Sequence, residues 1–410
     1  MNALTSVLAR MLNGKPEEVP LWVPWVFGGV FVIIFMIRDY LMMDNGVIGD
    51  VVYWGRDYIN VWTGGNLVRE GRLDIPYDLE AYASYQKALF GNIGSHNYSY
   101  PPVSYPLAAF FSLFPYWLSL ALWLAGTGAF FVWAVGKWWP EGAGWPALAL
   151  VTPAAIVNIW TGHYGFLIGG LFLLGWRLLD EKPVRAGICF GLMFLKPHLA
   201  VLVPLALALR GDWRAIFSAA STVAVLVVAT GLVYGWAPWS EYLLRTSGVQ
   251  AAMIDPNGMF FRLMSPSVMS AIIQKGGSWA VAGTVQALVA LGAVGMVAIA
   301  AIRKVSRKDL AFLVATCTFL VLPYSFNYDL TVVVVGALAV MMRPGVSGLD
   351  YRLATLGFMS PQFGMVVAIF GAPLMPVMLI GLAIAQFRVA MADTRSVSYP
   401  VVPEGAGVVR

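Results

Sequence analysis

The chain has 410 residues, of which 59% are hydrophobic and 11% charged, whereas a soluble domain carries roughly 25% charged residues. With a mean hydropathy of +0.74, it holds too little charge to cover a water-facing surface. That excludes a soluble globular enzyme and predicts an all-α polytopic membrane protein. The net charge of +5 points to cytoplasmic loops rather than to nucleic acid, because Lys and Arg collect on the cytoplasmic side of membrane proteins.

The chain reads as one integral membrane domain over 1–410 with about twelve transmembrane helices, each needing about 20 residues if straight. The predicted spans are 20–43, 104–137, 145–159, 163–179, 184–196, 197–210, 214–236, 279–302, 309–323, 328–343, 352–370 and 371–388. No small-residue cleavage site follows the first, so it reads as a retained anchor. The second contains a short lead-in helix broken at Pro115. Several spans are short, which membranes tolerate where backbone is buried against other helices. Cys189 and Cys317 lie inside apolar runs without metal or redox spacing and read as small buried hydrophobes.

Orientation follows from the positive charge. Arg10 and Lys15 precede the first span. If that end is cytoplasmic, alternation puts Lys137, Arg177, Lys182, Arg185, Arg210, Arg214, Arg303, Lys304, Arg307, Lys308, Arg343, Arg352, Arg388 and Arg395 on the same side. The polar tail 390–410 is then cytoplasmic and reads as disordered. The opposite face receives a large first loop, 44–103, a second loop, 237–278, and the turns around His163, Lys196 and Asn327.

The chemistry-bearing residues therefore gather on that outer face. Asp57 stands out, because a carboxylate near lipid is expensive unless paired or useful. Residues 51–68 carry apolar positions at helical spacing with Asp57 and Asn60 interleaved, which predicts an interfacial helix with a polar face. The other reading of Asp57 is a solvated loop carboxylate paired with Arg56 or Arg69. Asp78 is expected to cap the helix after Pro76-Tyr77. Lys196 sits at a proline break between apolar blocks and reads either as a phosphate partner or as a snorkelling lysine. His163 reads as a sugar contact or a structural histidine. Asp329 reads as a site carboxylate or a helix cap. Arg245 and Arg262 read as head-group cations or as loop salt bridges. His96, His163 and His198 are too dispersed to argue for a metal site.

In order, these pieces resemble glycosyltransferase family 87. The resemblance begins at Asp57-Tyr58 and runs through Trp62, Gly64, Glu70-Gly71 and Pro76-Tyr77-Asp78. It resumes at Tyr100-Pro101-Pro102, Gly162, Lys196-Pro197 and Pro323-Tyr324-Ser325-Phe326-Asn327-Tyr328-Asp329-Leu330, covering roughly 50–335. Family members often carry glutamine where His163 stands, histidine where Tyr324 stands, and glutamine or an apolar residue where His198 stands. The resemblance implies the type C architecture and inverting transfer of a hexose, mannose above all, from a polyprenyl-phosphate donor to a glycolipid or polysaccharide hydroxyl. It implies Asp57 as the base, Lys196 and Arg262 at the donor phosphate, and Asn60, Trp62, His163, His198, Tyr324, Asn327 and Asp329 at the substrates. It implies no cofactor and no metal, in line with the lack of an Asp-x-Asp motif in the outer loops. The setting it implies is a bacterial cytoplasmic membrane with the site on the extracytoplasmic side. A flippase or polymerase of lipid-linked saccharides, or a secondary transporter, would also show many spans. A transporter, though, is expected to hold its ionisable groups near the bilayer midplane.

Overall fold

Lipid offers backbone N–H and C=O groups no partner but one another, so long apolar runs become helices. The structure, a computed structural model, describes residues 22–49, 52–94, 96–253 and 263–397. Helix α1 (Trp22–Leu41) is followed by strands β1 (Met43–Asp44), β2 (Val47–Ile48) and β3 (Val52–Tyr53), then α2 (Tyr58–Arg69) and α3 (Leu79–Phe90). Next come α4 (Tyr105–Phe111), α5 (Tyr116–Val135), α6 (Pro153–Thr161), α7 (Gly165–Leu178), α8 (Pro183–Leu192), α9 (Val203–Arg210), α10 (Trp213–Tyr234) and α11 (Ala237–Met253). The order ends with α12 (Val268–Gln274), α13 (Trp279–Ile302), α14 (Arg307–Val321), α15 (Thr331–Met341), α16 (Gly348–Ile369) and α17 (Met375–Val397).

Among the described residues, six helices are long and apolar enough to cross a membrane: α1, α5, α10, α13, α16 and most of α17. The expectation of about twelve full spans is thus met only in part. The other six predicted segments fold as shorter helices, α6 to α9, α14 and α15, the longest having 15 residues. At 1.5 Å per residue these reach at most about 22 Å, short of the roughly 30 Å hydrocarbon core. Their backbone is instead buried by protein: nearly all of α15 and α14 is enclosed. On α10 the reverse holds, with Phe217, Val225, Leu232 and Val233 all more than 60% exposed, an apolar surface that only lipid can solvate. The chain is a multi-pass membrane protein.

The all-α expectation needs a small correction. A three-stranded antiparallel sheet pairs Met43 with Ile48 and Val47 with Tyr53. Its first turn is Asn45-Gly46, both with positive φ, the signature of a two-residue hairpin that was legible in the sequence. The lead-in helix does break at Pro115, with α4 before it and α5 beginning at Tyr116.

Helices α8 and α9 form a hairpin. Arg307 at the start of α14 bonds Asp180, just before α8, and Asp212, just after α9. The hairpin therefore enters and leaves on one face, with its tip at Lys196-Pro197, where Pro197 cannot continue a helix. On the same face Arg343 pairs with Asp309 and Asp393, and Arg388 with Asp350. These ion pairs bring three of the basic groups, Arg307, Arg343 and Arg388, together at one end of the bundle.

Candidate active site

At the opposite end lies a cavity of about 250 Å³, walled by Asp57, Asn60, His96, Tyr100, His163 and Lys196, and also by His198, Tyr242, Tyr324 and Tyr328. It collects the tips of elements far apart in the chain. Gly162 ends α6 with φ +64°, and a Cβ there would come 2.6 Å from Tyr58 Cβ. Only glycine lets the α6 terminus approach the start of α2 so closely. His163, the next residue, lines the same cavity as Asp57.

Asp57 stands at the N-cap of α2 in a helical conformation, so its carboxylate accepts none of the helix N–H groups. Among the described residues no group donates to it. Neither proposed partner takes it. Arg56 pairs with Asp39 at 2.5 Å and lies over Trp160, while Arg69 bonds the carbonyl of Ser112. Burial pushes the Asp57 carboxyl above its ordinary pKa, and His96, Arg56 and Lys196 oppose that shift only in part. A half-buried carboxylate facing a cavity without a protein partner is a group poised to take a proton. The helix after it is not the interfacial helix expected: Tyr58, Ile59, Val61, Leu67 and Val68 are buried alongside Asn60 and Gly64.

Across the cavity, Lys196 Nζ lies 2.5 Å from Asp329 Oδ2 and 3.3 Å from His163 Nδ1. Its ammonium also sits 4.9 Å from the centre of the Tyr328 ring, within cation–π range. Burial pushes Lys196 down and Asp329 up, and each opposes the other's shift. Asp329 is therefore not a cap: α15 begins at Thr331 without a side-chain cap, and the carboxylate is the lysine's counter-ion. Nor is Lys196 a snorkelling lysine, since it is 6% exposed. With three N–H donors and two taken, it keeps one for a ligand.

Residues 98–323, more than half of the chain, match the family model described as glycosyltransferase family 87. The chain belongs to glycosyltransferase family 87. It is an enzyme that transfers a sugar. No curated protein and no solved structure matches it. The match starts at Tyr98 and ends at Pro323. Asp57 and the Tyr324 to Leu330 motif lie outside it, so the roughly 50–335 expected from the motifs is wider than the match.

Within this glycosyltransferase the expected site residues divide. Asp57, Asn60, His163, Lys196, His198 and Tyr324 line the cavity, and Asp329 reaches it through Lys196. Asn60 Oδ1 accepts from Tyr82 and Gln86. Trp62 turns away, donating to the carbonyl of Phe114 and packing on Phe90 and Tyr116. Asn327 faces inward and donates to the carbonyl of Pro361. Arg262 lies outside the described residues. Arg245 pairs with Glu241 and Asp78 at the surface, and Asp78 caps α3 as expected. Both ring nitrogens of His163 are engaged by protein groups, which leaves none for a sugar.

Four of the cavity residues named above are not expected site residues. Tyr100 and Tyr328 enter the sequence reading only within motifs, His96 only among the dispersed histidines, and Tyr242 not at all. No local signal marks them, because their neighbours in the cavity are distant in sequence. No group of three or more metal-ligating side chains occurs among the described residues.

Proposed function

We propose that the enzyme transfers a hexose, mannose by family resemblance, from a polyprenyl-phosphate donor to a hydroxyl of a glycolipid or polysaccharide, with inversion at the anomeric carbon. The observation that carries the reading is the unpartnered Asp57 carboxylate facing the buried Lys196 ammonium across one cavity. Asp57 accepts the acceptor's hydroxyl proton as the oxygen attacks the anomeric carbon. The bond from that carbon to the phosphate oxygen breaks, and the phosphate leaves with the bonding electrons. General-base assistance of this kind contributes about 10²- to 10⁴-fold. Lys196 stabilises the charge on the departing phosphate, a role served well by a fixed donor in a site shielded from water.

On this reading the six long and six short helices together make up the twelve-segment type C arrangement. The cavity faces the extracytoplasmic side of a bacterial cytoplasmic membrane and serves cell-envelope assembly, since the basic groups gather at the other end. The test is transfer from synthetic polyprenyl-phosphate mannose by purified protein, with a chelator present, for wild type and Asp57→Asn. Transfer by wild type that falls at least about 100-fold in the variant supports both the reaction and the base. Transfer that survives the substitution removes Asp57 from the role, and no transfer from any lipid-phosphate sugar overturns the donor class.

A further inference from the structure

The hydrogen-bond order around His163 fixes the direction of every donor in this part of the cavity. His163 Nδ1 receives the backbone N–H of Tyr164 at 2.8 Å, and Lys196 Nζ lies 3.3 Å from the same atom. The Tyr164 N–H can only donate, and so can the ammonium, so Nδ1 is an acceptor and bears no proton. A neutral imidazole then carries its proton on Nε2. That nitrogen is 3.0 Å from Tyr100 Oη, so His163 donates and the phenol oxygen accepts. The Tyr100 proton is thereby left without His163 as its partner. Tyr100 lines the cavity together with Asp57 and Lys196, its ring held by the faces of Tyr164 and Tyr98.

The geometry points to Tyr100 as a substrate-binding residue that donates its phenolic hydrogen to a sugar hydroxyl in the cavity, with His163 as the positioning residue that sets this polarity. The assignment deepens the transferase reading and rests on it for the identity of the ligand. The ring of His163 is clamped against Tyr328, with centroids 4.1 Å apart and planes at 18°, so it cannot flip to exchange its nitrogens without breaking the stack. Burial together with the nearby Lys196 and His198 holds His163 well below its ordinary pKa, which keeps the ring neutral. Asp329 Oδ1 lies 4.0 Å from Nδ1, beyond hydrogen-bond reach, while Oδ2 is bonded to Lys196. Burial, the adjacent tyrosines and both Asp57 and Asp329 push Tyr100 well above its ordinary pKa, so its proton stays in place for donation.

Two measurements separate this assignment from the reaction itself. The first is ¹⁵N NMR of histidine-labelled protein, tractable because the chain has 3 histidines, with His163 identified by its loss in a variant. The expected result is a neutral ring protonated on Nε2, whose Nε2 resonance moves in Tyr100→Phe. A ring protonated on Nδ1, or doubly protonated at neutral pH, overturns the assignment whether or not any sugar is transferred. The second is steady-state transfer from polyprenyl-phosphate mannose and its monodeoxy analogues. Tyr100→Phe should lose roughly 3- to 10-fold in kcat/KM, the worth of one hydrogen bond, and should lose nothing further with the one analogue that lacks the contacted hydroxyl. His163→Asn keeps an acceptor near Nδ1 but cannot reach Tyr100, and should show the same loss. His163→Gln places an amide N–H near Nε2 and should recover most of what asparagine loses. Equal activity of wild type, Tyr100→Phe and His163→Asn overturns the proposal while leaving the transferase reading intact. No transfer by wild type overturns the proposed polyprenyl-phosphate mannose donor, and the NMR result still decides the polarity.

Discussion

Asp57 occupies the position from which aspartate ordinarily accepts helix N–H groups, yet it bonds none of them. The cost shows in its titration. Burial raises its folded pKa, so the native state holds a proton that the unfolded chain has already released as pH rises through the interval between the two values. Stability from this group is full below its ordinary pKa and declines above it. Asp57→Asn removes that decline, so the variant should melt at or above the wild-type temperature at neutral pH, the gap closing as pH falls through the carboxylate range. A variant that melts lower at neutral pH would contradict this. On the proposed mechanism Asp57 must also be ionised to act as base, so the acid limb of the rate profile should lie above the ordinary carboxylate pKa. Lys196 and Asp329 make the opposite case, a buried pair in direct contact. Removing one partner leaves an uncompensated charge, so Lys196→Met should cost about 3–5 kcal/mol, and Lys196→Met with Asp329→Leu should recover most of it. Thermal unfolding in detergent reads both.

At the level of elements, the site depends on how closely α2 lies against α4. A Cβ on Gly65 would come 2.0 Å from the Ala108 carbonyl oxygen and 2.8 Å from Ser112 Cβ. Small residues permit such backbone contact between membrane helices. Gly65→Val should therefore cost at least about 1–3 kcal/mol through overpacking and shift Asp57 with the helix that carries it. Gly126 on α5 has open space around its Cβ position, and Gly126→Ala should stay within about 0.5 kcal/mol of wild type. Comparison of the two melting temperatures checks the argument. The hairpin of α8 and α9 is the other element that matters, because its tip supplies Lys196 while Arg307 ties both of its feet. Asp180 is 69% exposed and Asp212 12%, so the Asp212 contact is the one shielded from solvent. Asp212→Asn should loosen the hairpin more than Asp180→Asn does.

Across the whole molecule, the ion pairs of Arg307, Arg343 and Arg388 lie at one end and the candidate chemistry at the other. Cysteines introduced at the exposed positions Lys182 and Arg303 should react with a membrane-impermeant reagent from one side of sealed vesicles, and one at Lys87 from the opposite side. The native Cys189 and Cys317 are buried and give little background. Labelling of Lys182→Cys and Lys87→Cys from the same side would contradict the placement of these two ends on opposite faces of the membrane.

The amino-acid sequence by itself determined the membrane class and the approximate positions of the helical segments. The span predicted at 279–302 coincides with α13, and the Pro115 break and the Asp78 cap stand where local chemistry puts them. These features depend on hydropathy and on backbone propensities within a few residues. Only the tertiary structure decided which six helices reach full length, that α2 is buried rather than interfacial, and that Trp62 and Asn327 face away from the cavity. It alone decided that Lys196 meets Asp329, 133 residues away, and that Tyr100 meets His163, 63 residues away. Periodicity records which side of a helix avoids water, but it carries no information about which helix comes to lie opposite. A buried charge takes its partner from that packing, and so the roles of these residues were settled only once the helices were placed.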